Sequence, residues 1–175
     1  MKFTPTTLAG VMQIELERIE DERGFFARAF DETLLKEHGC PLHIVQSNIN
    51  FNARAGTLRG LHYQAAPHAE TKLVRVVAGA IYDVVLDMRP DSPSYKKWGS
   101  FELSAENSRA LYIPEGCAHG FQTLKDSTEV FYEMGAYYNP EAARGIRFDD
   151  PAFGITWPLP VSVISERDKT HPDFT

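Results

Sequence analysis

The chain has 175 residues, of which 43% are hydrophobic and 24% are charged, and its formal net charge is −6. This length fits a single domain over residues 1–175, large enough to bury a full hydrophobic core. The acidic charge argues against a general nucleic-acid-binding protein, which would carry a basic face. The sequence contains no run of about 18 apolar residues, so no membrane span is predicted.

The N-terminus and the cysteines indicate the compartment. Met1–Pro5 lacks the apolar core of a secretion signal, and the chain has two cysteines, Cys40 and Cys117. Two widely separated cysteines form neither a disulfide framework nor a CxxC metal pair. We therefore expect reduced thiols and a cytoplasmic protein.

The first 40 residues predict two strands and a helix. Alternation of apolar and polar residues over 11–16 predicts one strand, and a second is predicted over 25–30. Asp31 stands where it can cap a helix over 32–38, which Gly39 would close.

From residue 43 onward the pattern is almost entirely β. The predicted strands, separated by clusters of Gly, Pro, Asn, Asp and Ser, are 43–51, 57–64, 72–78, 80–88, 98–104, 109–113, 118–124 and 128–137. Gly79 is expected to supply the positive φ of a tight hairpin between two of them. Many short strands and few helices favour an all-β fold, an antiparallel jelly roll or a related barrel with a few short flanking helices. Such a barrel can hold one small ligand in its mouth.

Several polar side chains occupy strand positions that should face the barrel interior. They are His62, Lys72, Asp83, His119 and Tyr132, and a charged group around Asp168 follows the last apolar stretch. Lys72, for example, shares a strand face with Val74 and Val76. Each polar residue alone is more often structural, such as a tyrosine packed in the core. Because the fold has one interior, so many of them together indicate a functional site.

Two barrel histidines raise the question of a metal site. His62 and His119 are not part of a His-x-His pair, and no other histidine completes a three-ligand set at strand spacing. The remaining histidines are expected at a helix end, a strand edge, a loop and the tail: His38, His43, His68 and His171. A metal site is therefore the less favoured interpretation.

Acid/base catalysis without a metal accounts for the same residue types. A histidine oriented by a carboxylate is a general base near neutral pH. A tyrosine across the pocket can donate a proton, and a lysine or histidine beside a carbonyl oxygen can stabilise an enolate. This combination suits removal of a proton next to a ketone and return of a proton to the other face.

Longer motifs support this chemistry through a resemblance. The main ones are Arg59–Gln64, Lys72–Arg75, Asp83–Arg89 and Pro114–Phe121, and shorter ones are Asp21–Phe26, Gln46–Asn48, Asp150–Pro151 and Trp157–Pro158. In this order, and over essentially the whole chain, they resemble the dTDP-4-dehydrorhamnose 3,5-epimerase family. The resemblance implies a metal-free cupin-type jelly-roll barrel, a homodimer without a cofactor, and a nucleotide-linked 4-keto-6-deoxy sugar as substrate.

The resemblance also implies the catalytic residues. His62 would be the base, paired with the carboxylate of Asp168. Asp83 would support the histidine pair from the barrel floor. Tyr132 would be the acid on the far face, and Lys72 would stabilise the enolate oxygen at C4.

A second group would bind the substrate by the same resemblance: Arg23, Phe26, Gln46, Asn48, Arg59, His119 and Arg167. Arg23 and Arg59 would hold the diphosphate. The aromatic and amide side chains would line the nucleotide and sugar site. His119 would lie close to the enolate oxygen, and Arg167 matches a basic residue that often stands beside the family's aspartate.

The implied reaction converts dTDP-4-dehydro-6-deoxy-D-glucose to dTDP-4-dehydro-L-rhamnose. The chain departs from the family at Arg28 and at Ala143, where glutamates are expected, and at Cys117, where a phenylalanine is usual. The base, the sugar and the number of inverted carbons therefore stay open. The alternatives are a C3 or C5 mono-epimerase, an epimerase of another nucleotide-linked 4-keto sugar, a non-catalytic sugar-nucleotide-binding cupin and a metal-dependent cupin oxygenase.

The strand that carries Arg59 and His62 poses a geometrical problem. Simple alternation places these two side chains on opposite faces, although both are expected to reach one ligand. Glycine inside a strand often marks a bulge or bend. We therefore predict a local irregularity at Gly60 that turns both side chains toward the barrel mouth.

Overall fold

The computed structural model describes all 175 residues, Met1 to Thr175, and contains thirteen strands and two short helices. The strands are β1 (Lys2–Pro5), β2 (Met12–Glu15), β3 (Ile19–Asp21), β4 (Gly24–Phe26), β5 (Gln46–Asn52), β6 (Leu58–Gln64), β7 (Lys72–Ala78), β8 (Ala80–Asp87), β9 (Trp98–Ser104), β10 (Arg109–Ile113), β11 (Cys117–Thr123), β12 (Thr128–Met134) and β13 (Ala143–Gly145). The helices are α1 (Glu32–Glu37) and α2 (Glu166–Lys169), and neither is long enough to cross a membrane.

The strands form two facing antiparallel sheets. The six-stranded sheet has the order β1-β2-β10-β7-β12-β5, and the five-stranded sheet has the order β13-β6-β11-β8-β9. Strands β3 and β4 form a separate hairpin. The predicted all-β, cupin-type jelly roll with a few short helices is confirmed.

The main core lies between the two sheets. Val74 and Val130 of the six-stranded sheet pack in one cluster with Val85 and Phe121 of the five-stranded sheet. The outer faces are covered as well. On one side Leu35 of α1 joins a cluster with residues of β2, β7 and β10, and on the other a cluster includes residues of 146–155. Because both faces of the central strands are buried, β7 and β8 read as nearly continuous apolar runs.

Most strand boundaries agree with the sequence within a few residues, but the predicted hairpin at Gly79 is wrong. Gly79 does have a positive φ of 78°. Strand β7, however, belongs to the six-stranded sheet and β8 to the five-stranded sheet, so the chain crosses between sheets there. A glycine turn between two apolar runs looks the same in sequence whether the second strand pairs with the first or leaves it.

The helix near the N-terminus is confirmed, whereas the strand before it is too long in the prediction. Asp31 caps α1, because its side chain accepts a hydrogen bond from Leu34 N–H at 3.1 Å. The strand predicted over 25–30 ends at Phe26. Beyond it, the carbonyl of Ala29 accepts a hydrogen bond from Arg75 at 2.7 Å, so the chain there is held by a side chain rather than by a partner strand.

Candidate active site

A cavity of about 700 Å³ opens between the two sheets at one end of the barrel. Its walls come from β5, β7 and β12 of one sheet, from β6, β11 and β13 of the other, and from the segment that ends in α2. Nine of the twelve predicted site residues line it: Gln46, Asn48, Arg59, His62, Lys72, His119, Tyr132, Arg167 and Asp168. Residues as far apart in the chain as Gln46 and Asp168 therefore share one cavity.

His62 and Asp168 form a hydrogen-bonded pair at the cavity wall. His62 Nε2 lies 2.6 Å from Asp168 Oδ1, and the carboxylate also accepts a hydrogen bond from Gly60 N–H at 3.1 Å. Burial alone would raise the pKa of Asp168, but the hydrogen bond and charge of His62 outweigh it and lower this pKa. The aspartate therefore stays ionised and orients the imidazole, whose side chain is 42% exposed.

Asp168 reaches this position because the C-terminal segment runs along β6. Leu58 N–H donates to the carbonyl of Val163 at 2.8 Å, next to a parallel bridge between Thr57 and Val163. Ser165 then caps α2 by accepting a hydrogen bond from Asp168 N–H at 3.1 Å. One turn of helix is enough to direct the carboxylate at His62.

A second histidine–carboxylate pair lies deeper in the barrel. His119 Nε2 is 2.7 Å from Oδ1 of Asp83, which is fully buried. Burial raises the pKa of Asp83, and the nearby charges of His119 and Lys72 oppose this only in part. His119 stands opposite His62 in the pairing of β11 with β6. Asp83 thus supports one histidine from the barrel floor, but its hydrogen bond is to His119 and not to His62.

Lys72 is buried and held in place by two partners. Its Nζ donates to the carbonyl of His62 at 3.0 Å and pairs with Glu70 Oε1 at 2.9 Å. Glu70 also lines the cavity and was not predicted. It stands two residues before Lys72, on the same face of the extended chain, and this spacing was the signal available in the sequence.

Tyr132 occupies the wall opposite His62. It belongs to β12 of the six-stranded sheet, whereas His62 belongs to the five-stranded sheet. Its partner across the sheet is Asn48 of β5. Gln46 donates a hydrogen bond to the Asn48 side chain at 3.1 Å, so two predicted amides lie together beside the tyrosine.

The predicted irregularity at Gly60 is confirmed. Gly60 has φ +116°, and the pairing of β6 with β11 shifts by one residue next to it. A Cβ at this position would lie 2.5 Å from the Cα of Gly120, so the two strands approach closely. Arg59 and His62 consequently both face the cavity, and Arg59 Nε donates to Asn52 at 2.8 Å.

Two predicted binding residues lie outside the cavity. Arg23 and Phe26 belong to the β3–β4 hairpin; the Arg23 side chain is 84% exposed and pairs with Asp21, and Phe26 is 67% exposed. The departures from the family pattern lie in different places. Arg28 is a surface residue paired with Asp31, whereas Ala143 is part of the cavity wall.

His171 lies in the C-terminal tail, as expected, but its contact with the cavity histidine was not predicted. Its ring lies edge-on to His62, with 6.4 Å between the ring centroids. Burial, followed by the charge of His62, lowers the pKa of His171, so its ring is neutral at pH 7.

Three potential metal-ligand atoms come together here, and they lie within 4.8 Å of one another. They belong to His62, Asp168 and His171. This group does not include His119, and its third member lies in the tail, so the spacing of residues along the strands could not reveal it.

Comparisons with known proteins agree on one family. The sequence profile of the dTDP-4-dehydrorhamnose 3,5-epimerase family matches residues 5–175. The dTDP-4-dehydrorhamnose 3,5-epimerase of Sinorhizobium fredii is 43% identical over 175 residues, which cover 99% of this chain and 90% of the relative.

Solved structures agree. The dTDP-4-dehydrorhamnose 3,5-epimerase of Bacillus anthracis, with TDP and PPi bound, superposes with a TM-score of 0.95 and 39% identity, covering 99% of both chains. An epimerase of Legionella pneumophila, in complex with dTDP-4-keto-L-rhamnose, has a TM-score of 0.89 and 38% identity, covering 95% of this chain and 89% of the other. The chain therefore belongs to the dTDP-4-dehydrorhamnose 3,5-epimerase family.

Proposed function

We propose that this protein converts dTDP-4-dehydro-6-deoxy-D-glucose to dTDP-4-dehydro-L-rhamnose by removing and returning protons at C3 and C5. The observation that carries the proposal is the placement of the His62–Asp168 pair and Tyr132 on opposite walls of one cavity. The membership in the family supports the same reaction.

His62 acts as the base. Its Nε2 is engaged with the ionised Asp168, so Nδ1 is the nitrogen that accepts a proton from the sugar. The aspartate holds the ring in this tautomer and stabilises the imidazolium that forms. The C–H bond breaks, the proton moves to Nδ1, and the electron pair passes to the C4 oxygen as an enolate.

Lys72 stabilises the enolate. Its ammonium group is fixed by Glu70 and by the carbonyl of His62 before the substrate arrives. Preorganised positive charge in a buried site stabilises developing negative charge more than the same charge in water does. His119, anchored by Asp83, adds a second polar group to the same region.

Tyr132 returns a proton from the other wall. The enolate carbon is planar, so protonation on the face away from His62 inverts its configuration. The tyrosine O–H bond breaks as the new C–H bond forms. Before the next carbon reacts, the imidazolium of His62 releases its proton to solvent water and the phenolate of Tyr132 takes one from solvent water. Two such events, at C3 and C5, give the double epimer.

The nucleotide end of the substrate is assigned to the polar and basic residues at the rim. Arg59 and Arg167 supply positive charge for the diphosphate, and Gln46 and Asn48 supply amides for the sugar and base. Support comes from their common place on the cavity wall.

We also propose a homodimer, in which the partner's hairpin completes the cavity with its Arg23 and Phe26. Exposed apolar side chains support this assembly: Ile49 and Phe51 on the edge strand β5 are 63% and 59% exposed, and Phe25 on the hairpin is 56% exposed.

A cytoplasmic location is proposed as well, supported by two cysteines that are both unpaired.

The test is incubation of the purified protein with the dTDP-linked 4-keto sugar in heavy water. We expect deuterium at both C3 and C5 and formation of the L-rhamno product, as read by mass spectrometry and NMR. Deuterium at one carbon alone would identify a mono-epimerase instead. No exchange at either carbon would contradict catalysis and leave the non-catalytic binding protein.

A further inference from the structure

We propose that His62, Asp168 and His171 form a binding site for Zn²⁺ and similar imidazole-preferring divalent ions, and that a bound ion blocks epimerisation. The second part rests on the proposed role of His62 as the catalytic base. The first part rests only on the arrangement of the three side chains.

The donor set suits zinc. Two imidazoles and one carboxylate, with a fourth position open to solvent or ligand, are a common combination in zinc sites. The three ligand atoms lie within 4.8 Å of one another, and His62 lines the cavity from which an ion would enter. Ligands at zinc distances are roughly 3.3 Å apart in a tetrahedral site, so the His62–Asp168 contact of 2.6 Å has to open by roughly 0.7 Å. The ion takes the place of the proton that the pair now shares.

Two of the three ligands are already fixed. Asp168 is held by Gly60 N–H and by Ser165 at the start of α2, and His62 is held within β6. Little rearrangement of the backbone is then needed to bind an ion, which favours affinity because the ordering of the ligands precedes binding.

The third ligand is placed by a local feature of the fold. His171 lies where Gly145 leaves room for it: a Cβ on residue 145 would be 2.0 Å from His171 Nε2. Gly145 is also the direct partner of His62 in the pairing of β13 with β6. His171 Nε2 is buried and has no hydrogen-bond partner in the chain. A buried polar atom without a partner is unusual and points to a ligand.

Occupation of the site would remove the base. A metal-bound His62 no longer shares its proton with Asp168, and a divalent positive charge beside the ring opposes formation of an imidazolium. Zinc is therefore expected to inhibit the enzyme, and a chelator to restore its activity.

Binding is tested directly by calorimetric titration of the chelator-treated protein with Zn²⁺. We expect one ion per chain with a micromolar or lower Kd. His171→Gln should weaken binding by at least roughly 100-fold, since loss of even an outer-shell partner weakens metal sites 10–100-fold. His43→Gln is the matched control, because it removes an exposed histidine that pairs with Glu32 and does not line the cavity.

A second measurement does not depend on any variant. NMR of the histidine rings in the wild-type protein should show that Zn²⁺ shifts the signals of His62 and His171 and leaves those of His43 unchanged. Equal zinc affinity in the wild type and in His171→Gln, or no binding in the micromolar range, would overturn the site.

Inhibition is tested with the heavy-water assay in the presence of Zn²⁺. We expect loss of exchange in the wild type, recovery with chelator, and retained exchange in His171→Gln. The titration contains no substrate, so it tests the site even if the proposed sugar is not turned over. If zinc binds through His171 but exchange continues, the blocking step is overturned together with the role of His62, and the metal site itself stands.

Discussion

At the scale of single residues, the proposed base and the proposed acid lie on opposite walls of the cavity. His62 and Tyr132 belong to different sheets, so each can reach only one face of a planar enolate. We expect Tyr132→Phe to slow product formation by roughly 10²–10⁴-fold, the usual contribution of a positioned acid, while deuterium still enters the recovered substrate. His62→Ala should abolish both product and exchange. Equal loss of exchange in the two variants, measured by mass spectrometry, would contradict this division.

The Glu70–Lys72 pair can be examined by a double-mutant cycle. Both side chains are less than 10% exposed, and removing one charge leaves the other buried and unpaired. We expect Glu70→Gln to lower the free energy of unfolding by about 3 kcal/mol, as for other buried pairs. Adding Lys72→Met should recover part of this stability but no activity, since the charge at the enolate is lost. Strictly additive effects in urea denaturation would show that the two residues act independently.

The direction of a side chain could be predicted from the sequence where simple alternation along a strand determines which face of the sheet it lies on. Lys72 and Tyr132 point inward as predicted, because the pairing of β7 with β12 is regular around them and shifts only between Glu129 and Val130. The pairing of His62 with Asp168 was available only through the family resemblance, since 106 residues separate them. The contact of His171 with His62 could not be predicted, because it depends on the path of a tail segment that has no periodic pattern.

At the scale of elements, the turn after β8 is organised by one carboxylate. Asp87 accepts hydrogen bonds from Arg89, Ser92 and Ser94. Burial alone would raise the pKa of Asp87, but these hydrogen bonds outweigh it and hold the pKa far below its ordinary value.

Stability should therefore depend on pH through this turn. The unfolded chain binds a proton at Asp87 more readily than the folded chain does, so the stabilisation is present above about pH 4 and declines as the pH falls further. We expect Asp87→Asn to be less stable than the wild type at pH 7, and the difference to shrink toward pH 2. Chemical denaturation at a series of pH values measures this, and a constant difference would contradict it.

The crossing between sheets at Gly79 leaves no room for a side chain. A Cβ there would lie 2.3 Å from Thr128 Oγ1, whereas at Gly39, with a similar φ of 73°, it would meet nothing within 4 Å. We expect Gly39→Ala to cost about 1 kcal/mol through backbone strain alone, and Gly79→Ala to cost clearly more. Urea denaturation of the two variants separates strain from crowding, and equal losses would show that crowding is absent.

Helices and strands could be predicted from the sequence where the residues that determine them lie within the same segment. The cap at Asp31 and the strands from β6 to β11 follow from residues within each segment. The partner of a strand is not a local property, and for that reason the turn at Gly79 was read as a hairpin. The strand predicted over 25–30 failed for a related reason, because the side chain that holds Ala29 comes from β7.

At the scale of the whole molecule, one edge of the six-stranded sheet is left uncovered by its own chain. Strand β5 pairs only with β12 and exposes Ile49 and Phe51. Exposed apolar edges favour association. We expect the protein to be a dimer by light scattering, and Ile49→Asp to shift it toward monomer while raising KM through loss of the partner's Arg23.

Val161→Asp serves as the control for this surface. Val161 is 36% exposed and does not belong to either sheet, so its replacement should leave the dimer intact. A monomeric wild type at micromolar concentration, or a dimer that survives Ile49→Asp, would contradict the proposed interface.

The parallel bridge between Thr57 and Val163 has a consequence for how this protein tolerates changes of length. Asp168 comes five positions after Val163, and Gly60, whose N–H donates to the same carboxylate, comes three positions after Thr57. The lengths of these two stretches together determine where Asp168 lies relative to the bridge. A single insertion between Val163 and Asp168 would leave both sheets whole and displace the aspartate by about 1.5–3.3 Å, the rise of one helical or extended residue. The number of residues between Val163 and Asp168 is therefore as constrained as their identity, although this segment does not belong to the barrel.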